Sequence, residues 1–403
     1  MKFSKLSQLF MVSTTGLLLA TLLTACQIVT IDYVFVASSK GAGNGSAGQI
    51  DTYAVDSESG ALRTGAPSVS SGGTSPVALA VTSDYANLYV ANQGNNSVIH
   101  FAIASNGVLT QKDTVTTSST PVSLAVNQAG TFLYVVSGTS SATLTAYSLS
   151  AGTIGSASAP VALTVPGYTS DVIVPTAVTA LVNNNAVYVT AYDQTAYNPG
   201  GSAPSTANPG WVFGYAVGSG GALTATTGSP YKAGVKPSAI AADPTNRFVY
   251  VTDFASNQLI GYTIQDGSVL DFLANGPFKT GNEPSAVVVD PRGKYIYVAN
   301  ALDSTVTGSV IDLATGTPSA AVIGGGTGTS GTDTQPVAIL VDPALGRFVY
   351  AANHLGNSIS GFKMNPDTGT IAGTQASPYP TGAQPTALVA IPHGNHSTEA
   401  VTP

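Results

Sequence analysis

A short strand signature recurs along the chain and constrains its fold more than any other feature. It consists of a proline, a variable residue, a small residue and then Leu, Ile or Val. Copies begin at Pro76, Pro121, Pro175, Pro237, Pro284, Pro336 and Pro385. Repetition at a period of about 50 residues is typical of propellers and stacked repeat proteins. The chain is therefore predicted to contain seven copies of one structural unit.

Each signature is followed by a turn and a second apolar strand. In the unit Glu283–Asn300, a strand from Pro284 leads into an Asp-Pro turn and then a strand that ends at Asn300. The same aromatic position in the second strands is held by Phe35, Tyr89, Tyr134, Tyr188, Tyr250, Tyr297 and Tyr350. A third strand and a weaker fourth strand follow, joined by Gly and Asx turns. Each unit thus predicts a four-stranded antiparallel blade.

The composition agrees with an all-β chain. Charged residues make up only 8% of the sequence, whereas amphipathic helices need a charged face. The small residue of the signature suits a position where seven strands crowd around one axis. We predict an all-β, seven-bladed β-propeller with four-stranded antiparallel blades, and a stacked β-solenoid is the alternative.

The order of strands at the two ends of the chain distinguishes a closed ring from an open stack. Of the second strands, the one that comes first along the chain is Tyr33 to Ala37, and no inner strand precedes it. The last inner strand, Thr386 to Ile391, has no second strand after it. We expect these two half-blades to pair and close the ring, because a solenoid would show capping repeats instead. The predicted propeller spans 33–391, and a polar tail occupies 392–403.

The N-terminal segment is typical of a bacterial lipoprotein. Residues 1–25 hold two lysines, an apolar run and small residues before Cys26, the only cysteine. An uncleaved membrane anchor and a plain secretory leader are the alternatives. We expect lipid attachment at Cys26, a membrane-anchored tether over 26–32 and an extracytoplasmic position in the cell envelope. Gln27 favours the outer membrane if the source is Gram-negative.

The repeats also resemble a known family. Tyr250-Val-Thr-Asp253, Tyr188-Val-Thr-Ala191 and the Asp-Pro turns resemble the YVTN-repeat, seven-bladed propellers of the lactonase family, and the resemblance runs from about Tyr33 to Ile391. That family includes relatives similar to 6-phosphogluconolactonase and many lipoproteins of unassigned role. WD40 and quinoprotein propellers match less well, because a single tryptophan cannot supply their repeated Trp signature. The resemblance implies a propeller fold and, as one activity, hydrolysis of a lactone by an activated water.

One face of such a propeller should carry any ligand site. Loops from second to third strands and from outer to next inner strands share that face and ring its axial opening. The longest, Tyr192 to Gly210, contains Asp193 and Tyr197 and leads into Trp211, although it also reads as a flexible loop. The strand-end residues predicted there are Asn92, Asp253, Asn300 and Asn353. These side chains suit a sugar or a cation, or alternatively bond their own loop amides as Asx turns.

Few residues of this face can perform acid–base chemistry. His354 is the histidine placed in a face loop, and we name His354 and Asp253 as candidate bases, with a solvated surface histidine as the alternative. Lys236, Lys279 and Glu283 precede inner strands and are candidates for contacting an anionic ligand, or serve solubility alone. No metal-ligand spacing is present, and no cofactor is expected.

Charge and location separate two functional hypotheses. The net charge of −7 provides no positive surface for a phosphate backbone, so no nucleic-acid partner is expected. The predicted export, the acidic net charge and the scarcity of charge at the axial opening favour one hypothesis. In it, the protein is a lipid-anchored binding or interaction module for a glycan, lactone or protein. The alternative is a lactonase-like hydrolase, similar to 6-phosphogluconolactonase, that opens a sugar or other lactone. Whether the chain is an enzyme stays open at this point.

Overall fold

The chain folds into seven antiparallel sheets arranged as a closed ring. The structure, a computed structural model, describes residues 29–40, 47–139, 141–167, 172–195, 209–322 and 328–394. Within these ranges the only helices are short 3-10 turns, at Gln93–Asn95, Ser219–Gly221 and Asp266–Ser268. Neighbouring inner strands pack against one another around the axis, including the last against the first. The predicted all-β, seven-bladed propeller is confirmed.

The strands of each blade run outward from the axis, and blade one is the blade that contains the first strand. The inner strands of blades two to seven and then of blade one are Pro76–Val81, Pro121–Val126, Ile173–Ala180, Pro237–Ala242, Pro284–Val289, Pro336–Val341 and Ala383–Pro392. The second strands of blades one to seven, in that order, are Thr30–Lys40, Asn87–Asn92, Phe132–Ser137, Ala186–Asp193, Phe248–Asp253, Tyr295–Asn300 and Phe348–Asn353. Each inner strand begins at the signature proline or two residues before it, as the sequence predicted.

The outer half of each blade is less regular. The third strands are Gln49–Asp56, Ser97–Ile103, Thr143–Ser150, Gly210–Val217, Gln258–Gln265, Thr305–Ile311 and Ser358–Met364. The fourth strand is continuous in blade two, Leu109–Thr116. In the other blades it is two short pieces: Leu62–Thr64 and Val69–Ser70, Thr153–Ala157 and Val161–Ala162, Leu223–Ala225 and Tyr231–Lys232, Val269–Phe272 and Phe278–Lys279, Pro318–Ala320 and Thr329–Gly331, Ile371–Gly373 and Tyr379–Pro380.

The two ends of the chain meet in blade one. Thr30–Lys40 pairs on one side with Gln49–Asp56 and on the other with Ala383–Pro392, so the predicted closure is confirmed. The first strand begins at Thr30 and not at Tyr33, because Ile31 is fully buried in the apolar cluster shared with blade seven. The predicted tether 26–32 therefore gives its last residues to the propeller.

The N-terminal and C-terminal predictions fall largely outside this description. The leader 1–25, Cys26 and residues 395–403 of the predicted tail lie outside the described residues. His393 is described. Its ring packs edge-on against Tyr33, and its backbone N–H donates to the carbonyl of Ile31. None of the helices in the described ranges has the length and apolar character needed to cross a membrane.

In five of the seven blades, the recurrent tyrosine of the second strand bonds its blade to the next. Its buried hydroxyl donates to a backbone carbonyl in the turn between the third and fourth strands of the following blade. We call these contacts the tyrosine bridges: Tyr89 to Gly152, Tyr188 to Ser268, Tyr250 to Gly316, Tyr297 to Gly369 and Tyr350 to Gly60, at 2.6 to 2.8 Å. A Cβ at Gly316 would lie 2.5 Å from the Phe248 ring, and φ there is positive, so glycine is required.

The tyrosine bridges should contribute measurably to stability. Tyr250→Phe removes a buried hydroxyl and leaves the Gly316 carbonyl without that donor, so we expect a loss of about 1 kcal/mol in the free energy of unfolding. Tyr134→Phe is the matched control, because the Tyr134 hydroxyl is buried without a hydrogen-bond partner in the described chain. Urea unfolding of both variants measures the difference. Equal losses would show that the bridges contribute nothing.

A second set of contacts joins neighbouring inner strands. The hydroxyl after the signature proline donates to the proline carbonyl of the next blade: Ser238 to Pro284 at 2.6 Å, Ser285 to Pro336 at 2.7 Å and Thr386 to Pro76 at 2.7 Å. These bonds lie where the inner strands begin, around one end of the axis. They fix the spacing of blades five, six and seven, and of blades one and two, at the opening where the site is expected.

Candidate functional site

The axial opening is ringed by residues that directly precede the inner strands. We call this side of the propeller, with its loops between second and third strands, the mouth face. The carbonyls of Lys236, Glu283 and Gln335 accept hydrogen bonds at 2.8 to 2.9 Å from the N–H of the residue that follows each second strand. In blade seven that residue is His354. Lys236 and Glu283 thus occupy equivalent rim positions on blades five and six, where blade seven has Gln335, and His354 is the donor beside that position.

Lys236 is the most distinctive side chain of this rim. Its ammonium lies 4.5 Å from the ring centroid of Phe254 and 5.6 Å from that of Tyr192, which belongs to blade four. The side chain is half-buried, and this burial lowers the pKa of Lys236, while the nearby negative charge of Glu283 opposes the shift. A cation over aromatic rings in a partly dehydrated position interacts more strongly with an anionic group than a solvated lysine does.

His354 is held with one ring nitrogen fixed. Its Nδ1 lies 3.1 Å from the carbonyl oxygen of Pro385, and a carbonyl can only accept a hydrogen bond. The neutral ring therefore carries its proton on Nδ1, and its Nε2 keeps a lone pair. His354 is half-buried at the junction of blades seven and one. The arrangement leaves Nε2 as the nitrogen that can accept a proton.

Asp253 lies beside this rim but in a structural role. It is fully buried, and its carboxylate accepts hydrogen bonds from the N–H groups of Val235 and Lys236 at 2.9 and 2.8 Å and from Gln258 at 2.9 Å. A carboxylate enclosed by three donors cannot also reach a substrate water. The prediction of Asp253 as a base is therefore not supported by its environment, and its function is to position the loop that carries Lys236.

The three predicted strand-end asparagines are also buried and bonded to their own loops. Asn92 exchanges hydrogen bonds with Ser71, and Asn300 accepts from the N–H of Gly281 at 3.1 Å. The amide group of Asn353 donates to Ser358 and Ser360 at 3.0 Å. These contacts match the structural alternative, in which the asparagines order loops instead of contacting a ligand.

Comparisons with known protein families and solved structures agree with the propeller architecture. The family model for the lactonase, seven-bladed β-propeller, matches residues 46–169 and 223–396, well over half of the chain. The chain belongs to the lactonase family. The unmatched segment 170–222 covers most of blade four, which contains the longest loop of the mouth face. A search of curated proteins finds no match.

Solved structures similar to this lactonase-family propeller share its fold. A candidate 6-phosphogluconolactonase of Bacteroides fragilis is 18% identical, covers 90% of this chain and 98% of its own, and has a TM-score of 0.71. A periplasmic gluconolactonase of Pseudomonas aeruginosa is 17% identical, covers 89% and 99%, and has a TM-score of 0.70. At such low identity these similarities establish the fold alone.

The structure buries two other predicted site residues of this lactonase-family propeller and places a third in an outer strand. Trp211 is only 5% exposed and packs in the apolar cluster between blades three and four, which is a core position. Lys279 belongs to the strand piece Phe278–Lys279, paired with Gln258 and Leu259, and lines a groove between blades five and six. Asp193 is buried and accepts from the N–H of Thr195 at 2.8 Å. Tyr197 lies outside the described residues.

Sequence reasoning missed the two aromatic residues that surround Lys236. Phe254 directly follows the buried Asp253, and Tyr192 directly precedes Asp193. An aromatic residue at the first position after a second strand is the signal that could have identified Phe254, because the N–H at that position bonds to the carbonyl of the rim residue Lys236. Within the described residues, no three His, Cys, Asp or Glu side chains come together as metal ligands.

Proposed function

We propose that this propeller is a lactone hydrolase whose active site is the rim formed by Lys236, Glu283 and His354. The observation that carries the proposal is the partly dehydrated Lys236 ammonium above Phe254 and Tyr192. Membership of the lactonase family supports hydrolysis better than the alternative of a pure binding module. A small, uncharged or weakly acidic lactone matches a rim with one cation and one carboxylate.

The chemistry follows from the roles these groups can take. Nε2 of His354 accepts a proton from a water, whose oxygen forms a bond to the lactone carbonyl carbon. The Lys236 ammonium stabilises the negative charge that develops on the carbonyl oxygen. When the ring carbon–oxygen bond breaks, the leaving oxygen takes the proton from the imidazolium, and an open hydroxy acid is released. Glu283 favours the charged form of Lys236.

We further propose that the reaction takes place outside the cytoplasm. The leader-like segment 1–25 and Cys26 support an envelope lipoprotein, anchored to the outer membrane if the cell is Gram-negative. The periplasmic gluconolactonase of similar fold supports an extracytoplasmic location and a sugar-derived lactone. Neutral lactones or glycans are the substrates that such a protein can meet, since phosphorylated sugar lactones are cytosolic metabolites.

Lys236→Met should lower the turnover of glucono-1,5-lactone by about a hundredfold or more, because one donor to the oxyanion is lost while the apolar stem stays in place. His354→Gln should reduce the rate by a similar factor. Acid release followed with a pH indicator, corrected for spontaneous hydrolysis, measures both. Lys112→Met, an exposed lysine of the outer strand of blade two, is the matched control.

Two results would contradict the assignment. If Lys236→Met and His354→Gln hydrolyse a panel of lactones at the parent rate, the active site is elsewhere. If the parent itself accelerates no lactone but the mouth face becomes protected from hydrogen exchange by a bound sugar, the binding-module alternative replaces hydrolysis.

A further inference from the structure

A second recess lies outside the axial opening, between the outer parts of blades five and six. It has a volume of about 820 Å³. One wall is the third strand of blade six, Thr305–Ile311, and the other is formed by Leu259, Pro277, Phe278 and Lys279 of blade five. We call it the lateral groove. It shares no residue with the rim formed by Lys236, Glu283 and His354.

The blade-six wall of the lateral groove is a row of hydroxyl groups. Thr305, Thr307 and Ser309 alternate along the strand, so they point to the same side. The Asn300 amide donates to Thr305 at 3.1 Å and to Thr307 at 2.9 Å. Because the hydroxyl oxygens of Thr305 and Thr307 already accept these hydrogen bonds, their own protons are directed elsewhere. Among the described residues, none of the three hydroxyls donates to an acceptor.

The equivalent place in blade seven is closed by an aspartate. There Asn353 donates to Ser358 and Ser360 in the same way, but Ser358 donates onward to the Asp333 carboxylate at 2.8 Å. Asp333 lies three residues before its signature proline, and Gly281 holds that position in blade six. A Cβ at Gly281 would lie 2.7 Å from Asn300 and from Asp303. The glycine therefore leaves the hydroxyl row of blade six open to the groove.

The remaining lining indicates an uncharged ligand. Lys279 and Asp303 contribute one charge of each sign, and Asp303 is bonded to the backbone and side chain of Asn282 at 2.7 and 2.9 Å. Phe278, Pro277 and Pro318 supply apolar surface for the C–H faces of a ligand. The backbone of Thr305–Ile311 is already paired with both pieces of the fourth strand, so an extended peptide cannot add to it.

We infer that the lateral groove binds a neutral oligosaccharide. Hydroxyl donors in a row, apolar surface opposite and balanced charge are what a polyol chain requires. From Thr305 to Ser309 the row extends over ~14 Å, at about 3.4 Å per residue, which is longer than one sugar ring. The site uses none of the three residues proposed for lactone hydrolysis, although its end at Gly281 and Asp303 lies on the mouth face.

The inference is tested by binding of four neutral probes, maltohexaose, cellohexaose, laminarihexaose and chitohexaose, measured by calorimetry and by hydrogen exchange. At least one should bind and protect Thr305–Ile311. Ser309→Trp, which fills the groove, and Thr307→Val, which removes one donor, should each weaken that binding about tenfold or more. Thr110→Val, an exposed threonine of the outer strand of blade two, is the control.

Lys236→Met separates this site from the proposed active site, since it should leave oligosaccharide affinity unchanged. Binding that Lys236→Met abolishes, or that Ser309→Trp leaves intact, would overturn the inference. So would the absence of binding by all four probes at millimolar concentration, or protection of the groove by a peptide alone. Ser309→Trp must retain the parent's melting temperature for these results to count, and Thr307→Val provides the second, smaller change.

Discussion

A chain that ends at Gly382 should lose cooperative unfolding entirely, because it lacks the inner strand of blade one. Ala383–Pro392 pairs with Thr30–Lys40 along nearly its whole length, from Pro392 opposite Asp32 to Ala383 opposite Lys40. The deletion also removes Ala390 and Ile391 from the apolar clusters on both sides of blade one. Thr30–Lys40 then becomes an exposed apolar edge, which favours aggregation.

Circular dichroism melting and gel filtration of the truncated chain measure this loss. A chain that ends at Gly394 is the control, because it keeps the closing strand and the contact of His393 with Tyr33. Residues 383–394 supplied as a separate peptide should restore part of the transition. A truncated chain that melts as cooperatively as the control would show that the ring does not depend on its closing strand.

The fold could be predicted because the same strand signature occurs seven times in the sequence. Each signature proline marks an inner strand, and strand order at the termini required closure in blade one. Two details could not be predicted from the pattern. The first strand starts at Thr30, since burial of Ile31 depends on its contact with blade seven, and six of the fourth strands are split because turn-forming residues interrupt them.

The site could be predicted only in part, because loops do not reveal which way a side chain points. Counting from the repeats placed Lys236, Glu283 and His354 in the loops beside the inner-strand starts, where the structure also has them. Asp253 and Trp211 occupy equally well-defined positions, but one is enclosed by loop amides and the other by apolar residues of blade three. The partners that decide between rim and core are loop amides of the same blade for Asp253 and include side chains of the neighbouring blade for Trp211.

Two buried aspartates lie at the seam where the ring closes. Asp32 of blade one and Asp342 of blade seven are both fully buried, and the Asp32 carboxyl faces that of Asp342. Asp342 accepts hydrogen bonds from the N–H groups of Leu345, Gly346, Arg347 and Phe348. No well-formed hydrogen bond reaches either oxygen of Asp32 in the described chain. The proton shared by the pair therefore belongs on Asp32.

The direction of the pH effect follows from this asymmetry. Burial, and then the charge of Asp342, raise the pKa of Asp32 well above its ordinary value of 3.8. The native state thus holds this proton more tightly than the unfolded chain, so its stabilising effect is complete below about pH 4 and is lost as the pH rises through the native pKa. Tyr85 and Tyr350 also face the pair, and burial raises the pKa of both phenols, so they stay neutral over this range.

Asp32→Asn should therefore stabilise the propeller at pH 8, by roughly 1–3 kcal/mol in the free energy of unfolding, because a neutral amide that can donate to Asp342 replaces a buried carboxylate without donors. The gain over the parent should shrink as the pH falls and Asp32 takes up its proton, and other titrating groups cancel in the difference between the two chains. Asp342→Asn is the matched control and should destabilise at both pH values, since an amide nitrogen cannot accept from the four N–H groups around it. Denaturant unfolding of the three proteins at pH 5 and pH 8 decides the matter. A gain from Asp32→Asn that is the same at both pH values, or a loss at pH 8, would show that Asp32 does not carry the proton of the closing seam.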